Sequence, residues 1–91
     1  GQDIRINAVL PGLIETAISA ATLARPDDRE AWLAPIPLGR TGTPEEMASI
    51  VAFLASDEAS YMTGSIIAAD GGTTAHTGQP NIPRRRALRT P

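Results

Sequence analysis

The sequence predicts an α/β fold in which two parallel strands are joined through helices. Three observations support this: a strand-like apolar run at residues 4–10, a short apolar run at residues 65–69, and a strongly patterned helix at residues 44–56. Strands separated by more than fifty residues of mostly helical pattern favour a right-handed parallel crossover. Because parallel sheets are normally covered on both faces and contain more strands, we expect this portion to be incomplete on its own.

The first predicted strand, IRINAVL, ends in an abrupt turn signal. Ile4, Ile6 and Ala8 share one face of the strand, and that face is expected to be the more buried one at its start. Pro11 has no backbone N–H and Gly12 tolerates positive φ. The sequence therefore predicts that the ladder stops at Pro11 and that the chain turns sharply.

Residues 17–38 are predicted to form a helical excursion between two firmer elements. Small, helix-compatible residues follow Thr16, and a fresh helix is expected to begin at Pro26, which precedes two aspartates. Pro35 and Pro37 then end the helical pattern.

The helix at residues 44–56 has the strongest local signals in the chain. Thr43 is suited to cap it, Pro44 fits the first helical position, and Glu46 completes a Thr-x-x-Glu capping box. One apolar stripe follows at helical spacing: Met47, Ile50, Val51 and Leu54. After the second strand, an Asp-Gly-Gly turn begins at Asp70.

Composition excludes several classes of function. The chain has 91 residues, which suits one small domain, and no apolar run approaches the roughly 20 residues of a membrane-spanning helix. There is no cysteine, and the single histidine, His76, cannot build a metal site without carboxylates, so we predict no metal. No secretory leader is visible, which favours the cytoplasm. All eight basic residues are arginine, and lysine is absent.

Residues 76–91 are predicted to be a disordered tail, because they contain three prolines and four arginines and no acidic residue. The first 75 residues hold all ten acidic residues against four arginines. The arginines of the tail are suited to contact nucleic-acid phosphates, but the tail has no aromatic residue to stack on bases and the body is acidic. A solvated tail is therefore favoured over a nucleic-acid partner.

Three blocks taken together resemble the C-terminal part of a short-chain dehydrogenase/reductase: IRINAVLPGLIET, PLGRTGTPEEMASIVAFLAS and YMTGSIIAADGG. The resemblance covers residues 4–74, with the blocks in the family's order. It implies the last βαβ portion of a Rossmann-type, doubly wound parallel sheet. It also implies NAD or NADP as cofactor, a small alcohol or carbonyl substrate, hydride transfer as the reaction, and a homo-oligomer.

The resemblance implies a nicotinamide contact at the end of the first strand. Pro11 and Gly12 would let the backbone approach the nicotinamide ring, backbone groups of Ile14 would hold its carboxamide, and the Thr16 hydroxyl would bond the carboxamide or a phosphate oxygen. The alternative from the residues alone is that Pro11 and Gly12 end a strand and Thr16 caps a helix.

Residues 17–38 correspond to the family's substrate loop, so the resemblance implies that Leu23, Trp32 and Leu33 form an apolar wall of the pocket. The alternative is that Trp32 packs the loop onto the body. Arg40 corresponds to a family position with a structural role.

The sequence departs from the family at the catalytic residues and at the phosphate-binding turn. These enzymes use a tyrosine with a lysine four residues later, but the only tyrosine here is Tyr61, Ser65 follows it at that spacing, and no lysine exists. The glycine-rich phosphate turn is also absent. We therefore assign no catalytic residue and expect the chain alone to be inactive. The alternative role is a non-catalytic interaction or oligomerisation module that uses residues 44–56 and 65–69.

Overall fold

A computed structural model describes residues 3–75 together with residues 82 and 83. The elements are β1 (Ala8–Pro11), α1 (Ala17–Leu23), α2 (Pro26–Leu33), α3 (Pro44–Ala55) and β2 (Ile66–Ala69), with short 3-10 turns at Asp57–Ala59 and Thr73–Ala75. The predicted tail, residues 76–91, lies outside the described residues apart from 82 and 83. Within the described part of the chain, no helix has the length and apolarity that crossing a bilayer requires.

The two strands form a parallel pair, which confirms the predicted fold class. Ala8 lies opposite Ile66, and the register runs without a break to Pro11 opposite Ala69. Within the described residues the sheet has only these two strands, so the outer edge of β1 and the outer edge of β2 are both open. The arrangement is the incomplete parallel sheet that the sequence predicts.

The prediction that the first strand begins at residue 4 is wrong, because residues 4–7 are held mainly by side-chain bonds, with one backbone bond from the Gly64 N–H to the Ile6 carbonyl (2.6 Å), and form no regular ladder. Asn7 Nδ2 donates to the Met62 carbonyl (3.1 Å) and Asn7 Oδ1 accepts from the Ser65 N–H (3.0 Å). Arg5 donates to the same Met62 carbonyl (3.2 Å). The opposing chain turns through Gly64, whose φ is +75°, so it cannot run alongside residues 4–7 as a regular strand.

The prediction that the ladder stops at the Pro11–Gly12 pair is confirmed. Pro11 is the last residue of β1, and the next donor, the Gly12 N–H, bonds the Ala69 carbonyl (3.0 Å). In a parallel pair the groups that meet Ala69 belong to the neighbours of Pro11, so the nitrogen of Pro11 points to the open edge. No donor is lost on the side that faces β2.

Helix α3 covers the face of β1 that carries Arg5, Asn7 and Val9, and a cleft between them is lined by these residues and by Val51, Leu54 and Ala55. The opposite face, which the sequence predicted to be the more buried, is bare. Ile4 and Ile6 are more than two-thirds exposed, and Leu10 and Ile66 are also exposed. The reason is that no element of the described chain packs on this face, whose apolar side chains would normally meet a second helical layer.

The buried residues lie outside the sheet. They are Leu23, Leu33, Ile36 and Ala59, together with the polar Thr41. Helices α1 and α2 pack mainly against each other, so Leu23, Leu33 and Ile36 lie between the helical pair and the segment that follows it, whereas Ala59 is buried in the turn after α3. A two-stranded sheet with one covered face cannot supply a larger core.

Candidate functional site

The sharp exit from β1 is accounted for by a close approach of the two strand ends. A Cβ atom on Gly12 would lie 2.6 Å from the Asp70 Cα and 2.7 Å from its Cβ. Backbone atoms cannot move aside as a flexible side chain can, so only glycine fits at this position. The structure therefore gives Gly12 a packing role against Asp70, at the carboxyl end of the parallel pair.

The chain beyond Gly12 pairs with the segment that precedes α3. Ile14 and Gly42 form a parallel bridge, in which the Gly42 N–H donates to the Leu13 carbonyl (2.9 Å) and the Glu15 N–H donates to the Gly42 carbonyl (3.0 Å). These bonds use the neighbours of Ile14, so the N–H and C=O of Ile14 itself point away from Gly42.

Ser19 organises the outward side of this segment. Its hydroxyl donates to the Ile14 carbonyl (2.8 Å) and accepts from the Thr16 N–H (2.9 Å). Thr16 is the N-cap residue of α1 and is exposed. The described residues thus bring Ile14 and Thr16, the two predicted carboxamide contacts, to one side of the turn beyond β1. Sequence reasoning missed Ser19, although its place three residues after Thr16 resembles a capping box.

The Asp-Gly-Gly turn after β2 packs against residues 36–38. The Leu38 N–H donates to the Gly71 carbonyl (3.1 Å), and a Cβ on Gly71 would lie 2.7 Å from Ile36 Cγ2. Asp70 accepts from the Gly72 N–H (3.0 Å). The hydroxyl and N–H of Thr74 hold the pKa of Asp70 below its ordinary value.

A cleft of about 600 Å³ lies between this turn, α3 and the segment before it. Most of its lining is apolar, and the cleft includes Leu13 and Ile14 of the candidate cofactor segment, Ile36, Leu38, Met47 and Ile50.

Arg40 has the structural role that the sequence analysis gives it. Both terminal nitrogens of Arg40 pair with the Glu46 carboxylate at 2.9 Å, and one also donates to the Thr41 carbonyl (3.0 Å). Glu46 also completes the predicted capping box, because it accepts from the Thr43 N–H (3.0 Å) and its own N–H donates to the Thr43 hydroxyl (3.1 Å). Arg40, and after it the Thr43 N–H, lower the pKa of Glu46 to about 2.

This pairing predicts an acid-sensitive loop. Because the pKa of Glu46 falls from its ordinary 4.5 to about 2 on folding, its stabilisation is complete above pH 4.5 and is lost as the pH falls towards 2. The pair is exposed, so the effect on global stability is expected to be small. In an NMR titration, the Thr43 amide shift should follow a midpoint well below 4.5. Glu46→Gln should abolish this titration, whereas Glu45→Gln, which removes the neighbouring carboxylate, should leave it unchanged.

Glu15 was not anticipated from the sequence. Both of its carboxylate oxygens accept from Arg29 on α2 (3.2 and 3.4 Å), and Oε2 also accepts from the Thr41 hydroxyl (2.9 Å). Arg29, and after it Thr41, hold the pKa of Glu15 below its ordinary value. No sequence pattern predicts contacts between residues this far apart.

The three predicted substrate-loop residues are placed differently from one another. Leu23 and Leu33, the last residues of α1 and α2, are buried, whereas Trp32 is half exposed. Burial of Leu23 and Leu33 holds the helical pair together. Trp32 is the one of the three with a large free surface, and its role in a pocket wall stays a prediction.

Comparison with known proteins decides the family. The profile of a family described as enoyl-(acyl carrier protein) reductase matches residues 1–74. The 3-oxoacyl-(acyl-carrier-protein) reductase of Thermotoga maritima is 53% identical over 72 residues, covering 79% of this chain. The chain belongs to the short-chain dehydrogenase/reductase family. This family is enzymatic.

Solved structures of the family agree with the fold. A protein from Agrobacterium tumefaciens, provisionally described as a 2-deoxy-D-gluconate 3-dehydrogenase and solved with bound NADP, superimposes on 80% of the chain with a TM-score of 0.75 and 41% identity. A 4-hydroxyisoleucine dehydrogenase in complex with NADH superimposes on 81% of the chain with a TM-score of 0.77 and 31% identity. The two described strands therefore form part of a Rossmann-type sheet.

The chain spans a minor part of these relatives. It matches 28% of the length of the Thermotoga reductase and 30% of each of the two solved chains. The candidate site in this family member is correspondingly partial: it comprises the turn from Gly12 to Thr16 and the helices that follow it. Tyr61 lies fully exposed in the turn before β2, and the chain has no lysine to accompany it.

Proposed function

We propose that this chain supplies the C-terminal, nicotinamide-facing part of an NAD(P)-dependent oxidoreductase that transfers hydride between the cofactor and a small alcohol or carbonyl compound. The observation that carries the proposal is the segment after β1. It leaves the carboxyl end of a parallel pair, where ligands of doubly wound sheets bind, with the backbone groups of Ile14 directed away from Gly42. The cofactors bound in the two related structures, NADP and NADH, support it.

The residues present fit one end of such a cofactor. The Ile14 N–H and the exposed Thr16 hydroxyl are donors, which suit the carbonyl of a carboxamide, and Ser19 fixes the Ile14 carbonyl beside them. When bound, the nicotinamide supplies or accepts the hydride. The chain's own contribution is to hold that ring at the strand end and to cover it with α1 and α2, which would keep water from the transfer.

We further propose that the chain alone is inactive. It lacks the tyrosine and lysine pair for proton transfer and the glycine-rich turn for the phosphates, so both must come from the part of the domain outside these 91 residues. The open edge of β1 and the bare face around Leu10 support this proposal, since both are surfaces that a larger parallel sheet would cover.

Calorimetric titration with NADH and with NADPH tests the proposal. We expect the chain to bind either cofactor with a Kd of about 1 mM or weaker, because the few contacts available supply only about 4 kcal/mol. A hybrid enzyme, in which residues 3–75 replace the matching segment of the Thermotoga reductase, should bind its cofactor at least about 10-fold more tightly and turn over. A micromolar isotherm or measurable turnover by the chain alone would refute inactivity. A hybrid that folds without binding cofactor would refute the nicotinamide contact.

A second candidate is a non-catalytic module that associates with copies of itself or with a full-length relative. The observation that favours it is the apolar surface left on α3, where Val51 and Phe53 are both partly exposed. This role would be favoured over the first by two results together. The chain would bind to a full-length relative, and the hybrid enzyme would bind its cofactor no more tightly than the chain alone does.

A further inference from the structure

Glu15 connects the turn beyond β1 to the segment before α3 and to helix α2. Its N–H is fixed by the Gly42 carbonyl (3.0 Å), its Oε2 accepts from Thr41 (2.9 Å), and both oxygens accept from Arg29 (3.2 and 3.4 Å). It stands directly between Ile14 and Thr16 in the sequence. The residue that holds Arg29 is therefore part of the same short segment that faces the candidate cofactor site.

The Glu15 carboxylate has a second partner besides Arg29, the Thr41 hydroxyl. Thr41 is only 6% exposed, so its hydroxyl needs a partner inside the protein, and the Glu15 carboxylate accepts from it. The backbone of Glu15 is held by the bridge to Gly42. The fixed backbone and the bond from Thr41 together restrict where this carboxylate can lie, so Arg29 meets a paired acceptor in a restricted range of positions.

Helices α1 and α2 pack mainly against each other, with Leu23 and Leu33 buried, and Ser19 of α1 donates to the Ile14 carbonyl. A further ion pair, between Arg25 and Asp28, is exposed and local to the start of α2, so it does not fix where α2 lies. The Glu15–Arg29 pair is a side-chain connection from this helical pair to the turn beyond β1.

We propose that Glu15 is a positioning residue that holds α2, and with it the substrate loop, in register with the turn that carries Ile14 and Thr16. The consequence for catalysis rests on the proposed function above. The Glu15 carboxylate would then set the distance between a substrate bound by the loop and a cofactor bound by the turn. Loss of the connection should loosen substrate binding more than it slows the chemical step, because Glu15 contacts neither reacting group.

The test uses Glu15→Gln, Arg29→Gln and the double variant in the hybrid enzyme, with Arg25→Gln as a matched control that removes an arginine from the same helix. Hydrogen exchange over residues 17–33 should rise about threefold or more in either single variant, and no further in the double, while α3 is unchanged. Arg25→Gln should change the hydrogen exchange rate over residues 17–33 by less than twofold. The KM for the 3-oxoacyl-(acyl-carrier-protein) substrate should rise in the Glu15 and Arg29 variants, with kcat less affected, and the exchanged pair Glu15→Arg with Arg29→Glu should recover part of the loss.

Exchange in Glu15→Gln no greater than in Arg25→Gln, or additive effects in the double variant, would overturn the inference. The same exchange measurement on the 91-residue chain repeats the test without any dependence on turnover. If the hybrid is inactive but exchange in the single and double variants rises equally, the positioning role stands and the proposed function fails. If the hybrid is active but exchange does not follow this pattern, the proposed function stands and the positioning role fails.

Discussion

Replacing Gly12 with alanine is expected to destabilise the hybrid enzyme by about 3 kcal/mol, which for a protein of its size corresponds to a drop in Tm of roughly 6–12 °C. The added Cβ would lie 2.6 Å from the Asp70 Cα, so the ends of β1 and β2 would have to separate. The bond from the Gly12 N–H to the Ala69 carbonyl would then lengthen or break. Thermal unfolding of the hybrid enzyme, followed by circular dichroism, measures the loss.

Gly64→Ala is the matched control for this substitution. Gly64 has a φ of +75° but no atom within 4 Å of an added Cβ, so alanine there meets conformational strain alone, at about 1 kcal/mol. Equal losses at the two positions would show that Gly12 is not needed for packing. If Gly12→Ala kept its stability and instead lost cofactor affinity, the explanation from the nicotinamide ring would be the correct one.

Gly12 shows what a sequence can and cannot predict about a turn. The Pro-Gly pair correctly predicts where the strand ends, although Gly12 does not adopt the positive φ that glycine permits. The reason that the position must be glycine lies at Asp70, on the other strand. No local pattern records this contact, so it became visible only in the structure.

Helix α3 was predictable because its signals are local. The Thr43 and Glu46 capping box forms between residues three apart, and it depends on nothing outside the first helical turn. The connections of Glu15 and Asn7 were not predictable, since each joins residues brought together only by the fold. The candidate site combines both kinds: its backbone turn is readable from the sequence, and the contacts that fix it are not.

The face of β1 that α3 covers was assigned wrongly for a definite reason. Hydrophobicity alone favours the face of Ile4 and Ile6, yet α3 packs on the face that carries Arg5 and Asn7. These polar side chains are satisfied there by the carbonyls of Met62 and Ser56. A half-buried polar residue with partners can therefore lie beneath a helix while an apolar face is left for another element of the complete sheet.

A polar substitution on the exposed face of β1 should have a large effect on stability in the hybrid enzyme and a small one in the 91-residue chain. Leu10 is 52% exposed in the described structure, so Leu10→Asn should change the stability of the 91-residue chain by no more than about 0.5 kcal/mol. In the hybrid enzyme, where we propose that further elements cover this face, the same substitution should cost about 3 kcal/mol or more. It would leave a cavity and also bury an amide without partners.

Ile18→Asn supplies the comparison, because Ile18 lies on α1, away from this face, and is 93% exposed. It should be nearly neutral for stability in both proteins. Chemical denaturation of the four variants gives the difference directly. The proposal of an incomplete sheet requires the cost of Leu10→Asn to appear only when the preceding strands and helices are present. An equally small cost in both proteins would mean that the face of Ile6, Leu10 and Ile66 stays in solvent, and that the two strands are not the edge of a larger buried sheet.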